Sequence, residues 1–145
     1  VQALGCGIGP HFDITKLKYG KIICAADPDP DGGHISSLVT MVMVILFPEI
    51  VKSGKFYLAS TPLYSINEPK EFRPLWTDEE LEKARKDKRT ILRAKGLGEF
   101  SPQQIKICLM DSTRHLIKIE YPENLDKVIK LFTDPNEKRK LLNEG

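Results

Sequence analysis

Three aspartates stand on alternate positions, at Asp27, Asp29 and Asp31, directly after an apolar run. Carboxylates at this spacing repel one another, and a fold accepts them most readily where a cation offsets their charge. The preceding segment 21–26 (Lys-Ile-Ile-Cys-Ala-Ala) predicts a short buried strand. Open α/β sheets bind ligands beyond the carboxyl ends of their strands, so the trio predicts a ligand site at such an end.

Three interpretations of the trio compete. It resembles an acidic surface turn, since Pro28 and Pro30 restrict the backbone and Asp, Gly and Pro form turns. It also has the first ligands of an EF-hand calcium loop, but Leu38 stands where the bidentate glutamate is required. A magnesium site for phosphoryl chemistry needs only one or two carboxylates together with waters and substrate phosphates. The trio by itself leaves the acidic turn and the magnesium site open.

The elements that position the trio follow from hydrophobic patterning. Strand 21–26, helix 35–47 and strand 55–60 predict a strand–helix–strand unit with parallel strands. The later elements are shorter and more polar, and we predict them as follows: an extended segment at 62–66, a charged helix at 78–88, a strand at 90–94, a helix from 101 to about 110, a strand at 114–119 and two short terminal helices. The predicted class is α/β, with a partial Rossmann-like parallel sheet and a small α+β tail.

Composition narrows the class of protein. A chain of 145 residues with 41% hydrophobic content forms one domain with a modest core. The net charge of +2 gives no strong basic footprint of a nucleic-acid-binding protein. Three cysteines without metal-ligand spacing indicate reduced thiols in a cytosolic setting.

The helix predicted at 35–47 is apolar on nearly every face. It is shorter than the ~20 residues that cross a bilayer, and we see no signal peptide. We therefore expect it to be buried against the sheet and covered by something besides this sheet.

Four further motifs follow the trio in order. They are Gly32-Gly33-His34-Ile35, Pro-Glu-Ile-Val at 48–51, Pro-Leu-Tyr at 62–64 and Lys-Gly-Leu-Gly-Glu at 95–99. Together with the trio they resemble the metal-binding half of the TOPRIM domain in type IIA DNA topoisomerases, the gyrase B and topoisomerase IV family. The resemblance covers nearly the whole chain and thins between about positions 68 and 90.

The resemblance implies an organisation and an activity. Residues 1–68 would be the C-terminal half of a TOPRIM domain, 69–89 a short insertion with a linker helix, and 90–145 the Lys-Gly-Leu-Gly segment with its tail. The activity would be that of an ATP-dependent type II topoisomerase, an isomerase that cleaves and religates double-stranded DNA transiently. The nucleophilic tyrosine would lie on a partner chain, and Mg²⁺ would be the cofactor, with two metal positions possible.

The resemblance also assigns residues. Asp27, Asp29 and Asp31 match the family's catalytic metal ligands, the third at a second metal position or acting through water. Contacts to DNA are expected from three basic side chains: His34, Arg93 and Lys95. Close approach of the backbone to the site is expected at four glycines: Gly32, Gly33, Gly96 and Gly98. Pro28, Pro30 and Ser36 depart from the family's usual residues, which affects affinity more than chemistry.

The family's TOPRIM sheet begins with a strand that carries a catalytic glutamate, and we expect that strand to lie before Val1. The chain would then be a fragment or, as we favour, the small subunit of a topoisomerase split within TOPRIM, as in T-even-type phages. A larger ATPase-bearing subunit would supply the glutamate and bind ATP, so this chain would be inactive alone. We expect a cytoplasmic protein, bacterial or phage, with no membrane partner.

Two rival functions stay open. One is an assembly or regulatory subunit that keeps the fold without turnover. The other is a phosphohydrolase that uses an Asp-x-Asp nucleophile at the strand end, which would require phosphorylation of Asp27.

Overall fold

The computed structural model of the chain describes residues 1–69, 71–111 and 115–136. Helices and strands mix along this part, which confirms the predicted α/β class. Its helices are α1 (Pro30–Leu46), α2 (Pro48–Lys52), α3 (Asp78–Lys86), α4 (Pro102–Ile105) and α5 (Leu125–Thr133). Its strands are β1 (Ile22–Cys24), β2 (Phe56–Ala59), β3 (Tyr64–Glu68), β4 (Glu71–Leu75), β5 (Ile91–Arg93) and β6 (Leu116–Lys118).

The strands form two small sheets. In the first sheet the order is β1-β2-β6, with β1 and β2 parallel and β6 antiparallel to β2. The parallel pair confirms the predicted strand–helix–strand unit, in which α1 and α2 connect the strands. In the second sheet the order is β4-β3-β5, and both pairings are antiparallel. Since β6 pairs with β2, a late segment of the chain completes the first sheet.

The helix predicted at 35–47 starts earlier, at Pro30. Asp29 is its N-cap, and Pro30 takes the first helical position, where a missing N–H costs nothing. Asp29 and Asp31 therefore belong to the start of α1, whereas Asp27 precedes the helix, and the predicted helix start at position 35 is wrong.

Strand β4 was not predicted, because Pro74 interrupts its pattern. The strand order places β4 at the edge of the second sheet, where a proline is tolerated. Helix α3 confirms the predicted charged helix, with the Thr77 side chain as its cap, acidic residues in the first turn and basic residues in the last. The predicted C-terminal elements are confirmed at β6 and α5. The second predicted terminal helix falls on residues outside the described part.

The larger core lies between the first sheet and α1–α2. Its buried members come from the N-terminal loops, both helices and β2: Cys6, Met43, Val44, Phe47, Ile50, Val51 and Phe56. A smaller cluster of Ile66, Leu75, Leu81 and Ala84 holds α3 against the second sheet.

One face of α1 is not covered within the described residues. Its large apolar side chains are 43% to 54% exposed: Ile35, Leu38, Val42, Ile45 and Leu46. The expectation that this helix is buried on nearly every face is therefore wrong for this part of the chain. No helix among the described residues is long and apolar enough to cross a membrane.

Candidate functional site

Asp29 and Asp31 lie at the start of α1, as its cap and in its first turn. The Asp29 carboxylate accepts a hydrogen bond from the Gly32 N–H at 2.7 Å between Oδ1 and nitrogen, and its carbonyl accepts from the Gly33 N–H at 3.0 Å. Asp31 follows in the positive field of the helix N-terminus. Within the described residues no hydrogen bond or ion pair engages the Asp31 side chain. Asp29 thus serves the backbone locally, whereas Asp31 is open to solvent.

Asp27 is held from two directions. Its Oδ1 accepts a hydrogen bond from the Leu97 N–H at 2.7 Å, across 70 positions of sequence. Gly96 lies so close that a Cβ built on it would be 3.2 Å from both carboxylate oxygens of Asp27. From the helix side, a Cβ on Gly32 would be 2.1 Å from the Asp27 carbonyl oxygen. Gly32 therefore has no room for a Cβ, because backbone atoms obstruct it, whereas a Cβ on Gly96 would require a small shift of the Asp27 carboxylate.

The four glycines predicted to approach the site divide into two kinds. Gly32 and Gly96 contact Asp27, one its backbone and the other its side chain. A Cβ on Gly33 or Gly98 would meet nothing within 4 Å. The close approach that the structure shows is thus between the Asp27 segment and two other parts of the same chain, the start of α1 and the 95–99 segment.

The segment 61–63 connects the two sheets at this site. The Thr61 hydroxyl donates to the Ala26 carbonyl at 2.8 Å, directly before Asp27. Two residues after Thr61, the Leu63 carbonyl accepts from the Ala94 N–H at 3.0 Å. The end of β1 and the start of the 95–99 segment therefore share one anchor.

The three predicted basic side chains lie in α1, at the end of β5 and at the start of the 95–99 segment. They are His34, Arg93 and Lys95 in that order, and all three are exposed. In the described part of the chain no hydrogen bond or ion pair engages any of these three side chains. They are accessible to an anionic ligand, and their role in DNA binding stays a prediction.

The fit of the carboxylates to a metal ion rests on the chemistry of their oxygen donors. Among the described residues no three His, Cys, Asp or Glu side chains converge to hold a metal ion. In Asp27 and Asp29, Oδ1 accepts a backbone hydrogen bond, while no described residue bonds to Oδ2. Two hard oxygen donors fit Mg²⁺, which is usually held by one or two carboxylates and completed by waters or phosphates.

The cysteines do not belong to this site. Cys6 and Cys108 are buried and Cys24 is half-buried, and all three are free thiols. Burial raises the pKa of Cys108 to about 11, so its thiol is protonated at neutral pH. Cys108 is therefore a protonated thiol that packs as a small apolar residue.

Sequence reasoning missed two contributions to the site. The Thr61 hydroxyl bond to Ala26 joins positions 35 apart, and no local signal announces it. Glu99 belongs to a motif that was recognised, but its own contact was not predicted: its Oε2 accepts from the Lys95 N–H at 3.0 Å. The sequence signal for this contact is the position of Glu99, an acidic residue four positions after the Lys95 N–H that it accepts.

No family model matches the chain. Curated relatives do match it over nearly its whole length. It is 35% identical to the B subunit of DNA gyrase from Thermotoga maritima, over 98% of this chain and 24% of the relative. It is 38% identical to the B subunit of DNA topoisomerase 4 from Mycoplasma capricolum, over 97% of this chain and 23% of the relative.

A third relative extends the range of organisms. The chain is 34% identical to the B subunit of DNA gyrase from Archaeoglobus fulgidus, over 92% of this chain and 21% of the relative. The chain spans about a quarter of the length of these relatives. The similarity therefore concerns one region of a much longer protein.

Proposed function

Because the chain is a type IIA topoisomerase B-like region, we propose that it forms the magnesium-binding part of the TOPRIM domain in an ATP-dependent type II DNA topoisomerase. In this role it supports transient cleavage and religation of double-stranded DNA by a tyrosine on a partner chain. The contact of Asp27 with Gly96 and Leu97 carries the proposal, since it joins two motifs 70 positions apart at one carboxylate.

The chain's own residues have distinct tasks in this proposal. Asp27 and Asp29 would hold Mg²⁺, with Oδ2 of each free of hydrogen bonds from the described residues, and Asp31 would serve a second metal position or act through water. When bound, the metal stabilises negative charge on the phosphate and on the leaving 3′ oxygen as a Lewis acid. Lys95, exposed beside Gly96, places an ammonium group near the DNA phosphates.

The uncovered surfaces support a partner segment that completes the domain. β1 is an edge strand of the described sheet and is paired only with β2. Parallel strands are normally covered on both faces, yet Ile23 is 36% exposed on the face opposite the core. The open face of α1 adds further apolar surface. A strand beside β1 and a helix over these side chains would bury both.

We expect that completing segment to carry the family's catalytic glutamate, on preceding residues or on a larger partner subunit. ATP binding and hydrolysis then belong to another domain or chain, and the holoenzyme acts in the cytoplasm. The isolated chain is expected to bind Mg²⁺ weakly and to leave DNA intact.

Asp29→Asn in the complex reconstituted with its partner subunits tests the metal role. Asparagine is as good an N-cap as aspartate, so the substitution keeps the start of α1 and removes the charge. We expect Mg²⁺-dependent DNA cleavage to fall by more than about a hundredfold, beyond the loss typical of an outer-shell partner. The matched control is Asp13→Asn, since Asp13 also caps a turn, through the Thr15 N–H at 3.0 Å, away from the site.

Asp13→Asn should leave cleavage unchanged. Normal cleavage by the Asp29→Asn complex in Mg²⁺ would refute the assignment of Asp29. Trapping of a covalent phosphate on Asp27 would instead support the rival phosphohydrolase.

A further inference from the structure

The segment 95–99 is fixed at both ends. At its start, Ala94 is buried and donates its N–H to the Leu63 carbonyl at 3.0 Å. At its end, Phe100 is buried and packs edge-to-face on Phe72, with ring centroids 6.1 Å apart. Between these anchors the segment is largely exposed and contains two glycines, so the anchors alone leave its conformation free.

Glu99 closes this segment on itself. Its Oε2 accepts from the Lys95 N–H at 3.0 Å, and its own N–H donates to the Gly96 carbonyl at 3.1 Å. The Phe100 N–H bonds to the Leu97 carbonyl at 3.2 Å. These bonds form one short turn in which the Leu97 N–H is directed away from the segment and onto Asp27.

We propose that Glu99 is a positioning residue for Asp27. The Glu99 carboxylate holds the 95–99 turn closed, and the closed turn presents the Leu97 N–H to Asp27 Oδ1. The orientation of Asp27 therefore depends on a side chain that does not touch it. Its importance for catalysis rests on the proposed function, whereas the coupling itself does not.

The coupling decides how Asp27 meets a cation. Oδ1 accepts the Leu97 N–H, so Oδ2 is the Asp27 carboxylate oxygen without a hydrogen bond from the described residues, and it is the oxygen that we expect to meet a cation. One-oxygen coordination suits the tight octahedral shell of Mg²⁺, whereas Ca²⁺ often takes both oxygens of a carboxylate. Loss of the hydrogen bond from the Leu97 N–H would leave Oδ1 unbonded and would allow the Asp27 carboxylate to rotate.

The test is the exchange of backbone amide protons with water, measured by NMR on the full chain without metal. Glu99→Ala removes the acceptor for Lys95, so the Lys95 and Leu97 amides should both exchange about tenfold faster, as expected when a charge-assisted hydrogen bond is lost. Glu99→Gln keeps an acceptor oxygen and should restore slow exchange at both. Asp27→Ala should release Leu97 and leave Lys95 unchanged.

The amides of Ile22 and Ala94, which bond elsewhere in the fold, report whether a variant is still folded. Unchanged Leu97 exchange in a folded Glu99→Ala variant would overturn the proposal, as would equal acceleration in Glu99→Gln. A separate titration of the wild-type chain with Mg²⁺ and Ca²⁺ follows the resonances of Ala26 and Asp27. Absence of any Mg²⁺ response there would refute the metal role while the coupling of Glu99 to Leu97 stands.

Discussion

Gly32 and Gly33 are neighbours in the first turn of α1, but the structure predicts opposite effects for their replacement by alanine. A Cβ on Gly32 would lie 2.1 Å from the Asp27 carbonyl oxygen and 2.9 Å from its carbonyl carbon. Real Cβ atoms essentially never lie closer than 3.0 Å to such atoms. The obstructing atoms are backbone, so they cannot rotate away. A Cβ on Gly33 would meet nothing within 4 Å.

The magnitude follows from two terms. Alanine in place of glycine within a helix stabilises it by roughly 0.5–1 kcal/mol, and this gain applies at both positions. Overpacking at Gly32 costs about 1–3 kcal/mol, and the higher end applies because the strand end itself must move. The helix gain is common to both variants and cancels in the comparison. We therefore expect Gly32→Ala to be less stable than Gly33→Ala by about 2–3 kcal/mol, which is the cost of overpacking.

Urea unfolding of the two variants in parallel measures this difference. With a dependence on urea of about 1.5 kcal/mol per molar, the midpoints should differ by roughly 1.3–2 M. Gly33→Ala should match or exceed the stability of the unaltered chain. If the two midpoints coincide, the close contact of Gly32 with Asp27 does not exist and the geometry of the site is wrong.

Two further changes test the site and the second sheet. Gly96→Ala puts a Cβ 3.2 Å from both Asp27 carboxylate oxygens, whereas the Cβ of Gly98→Ala meets nothing within 4 Å. In urea unfolding we expect Gly96→Ala to be less stable than Gly98→Ala by about 1 kcal/mol, the contribution of one hydrogen bond. Equal stabilities of the two variants would contradict this. Arg89 bonds Glu68 through Nε and Nη2 at 2.8 and 2.9 Å, which lowers the pKa of Glu68. A lowered carboxyl pKa in the folded state stabilises the fold fully above the ordinary glutamate value of about 4.3, and this stabilisation disappears as the pH falls through the lowered pKa. Arg89→Met should therefore flatten the fall of melting temperature in that acid range, and a curve parallel to that of the unaltered chain would refute the role of this pair.

Local signals carried much of the fold. Helix α3 was predicted because its acidic first turn and its basic last turn lie within a few residues of each other, and the structure adds the Thr77 cap. The start of α1 is also encoded locally, since Asp29-Pro30 is a cap followed by a first-turn proline, although the surrounding Asp, Pro and Gly residues equally favour a separate turn. Strand β4 was missed because Pro74 breaks its pattern, and only its place at a sheet edge makes the proline acceptable.

The sequence by itself determined most of the elements, the class of the fold and the set of candidate site residues, because these depend on periodicity, caps and motifs that short segments contain. Tertiary structure alone decided how Asp27 is held. Its bond to Leu97 spans 70 positions and exists because the Thr61–Leu63 segment joins the end of β1 to the start of the 95–99 turn. Tertiary structure also decided that one apolar face of α1 is uncovered in the described part of the chain. Such contacts depend on how distant segments pack, and no local pattern encodes that arrangement.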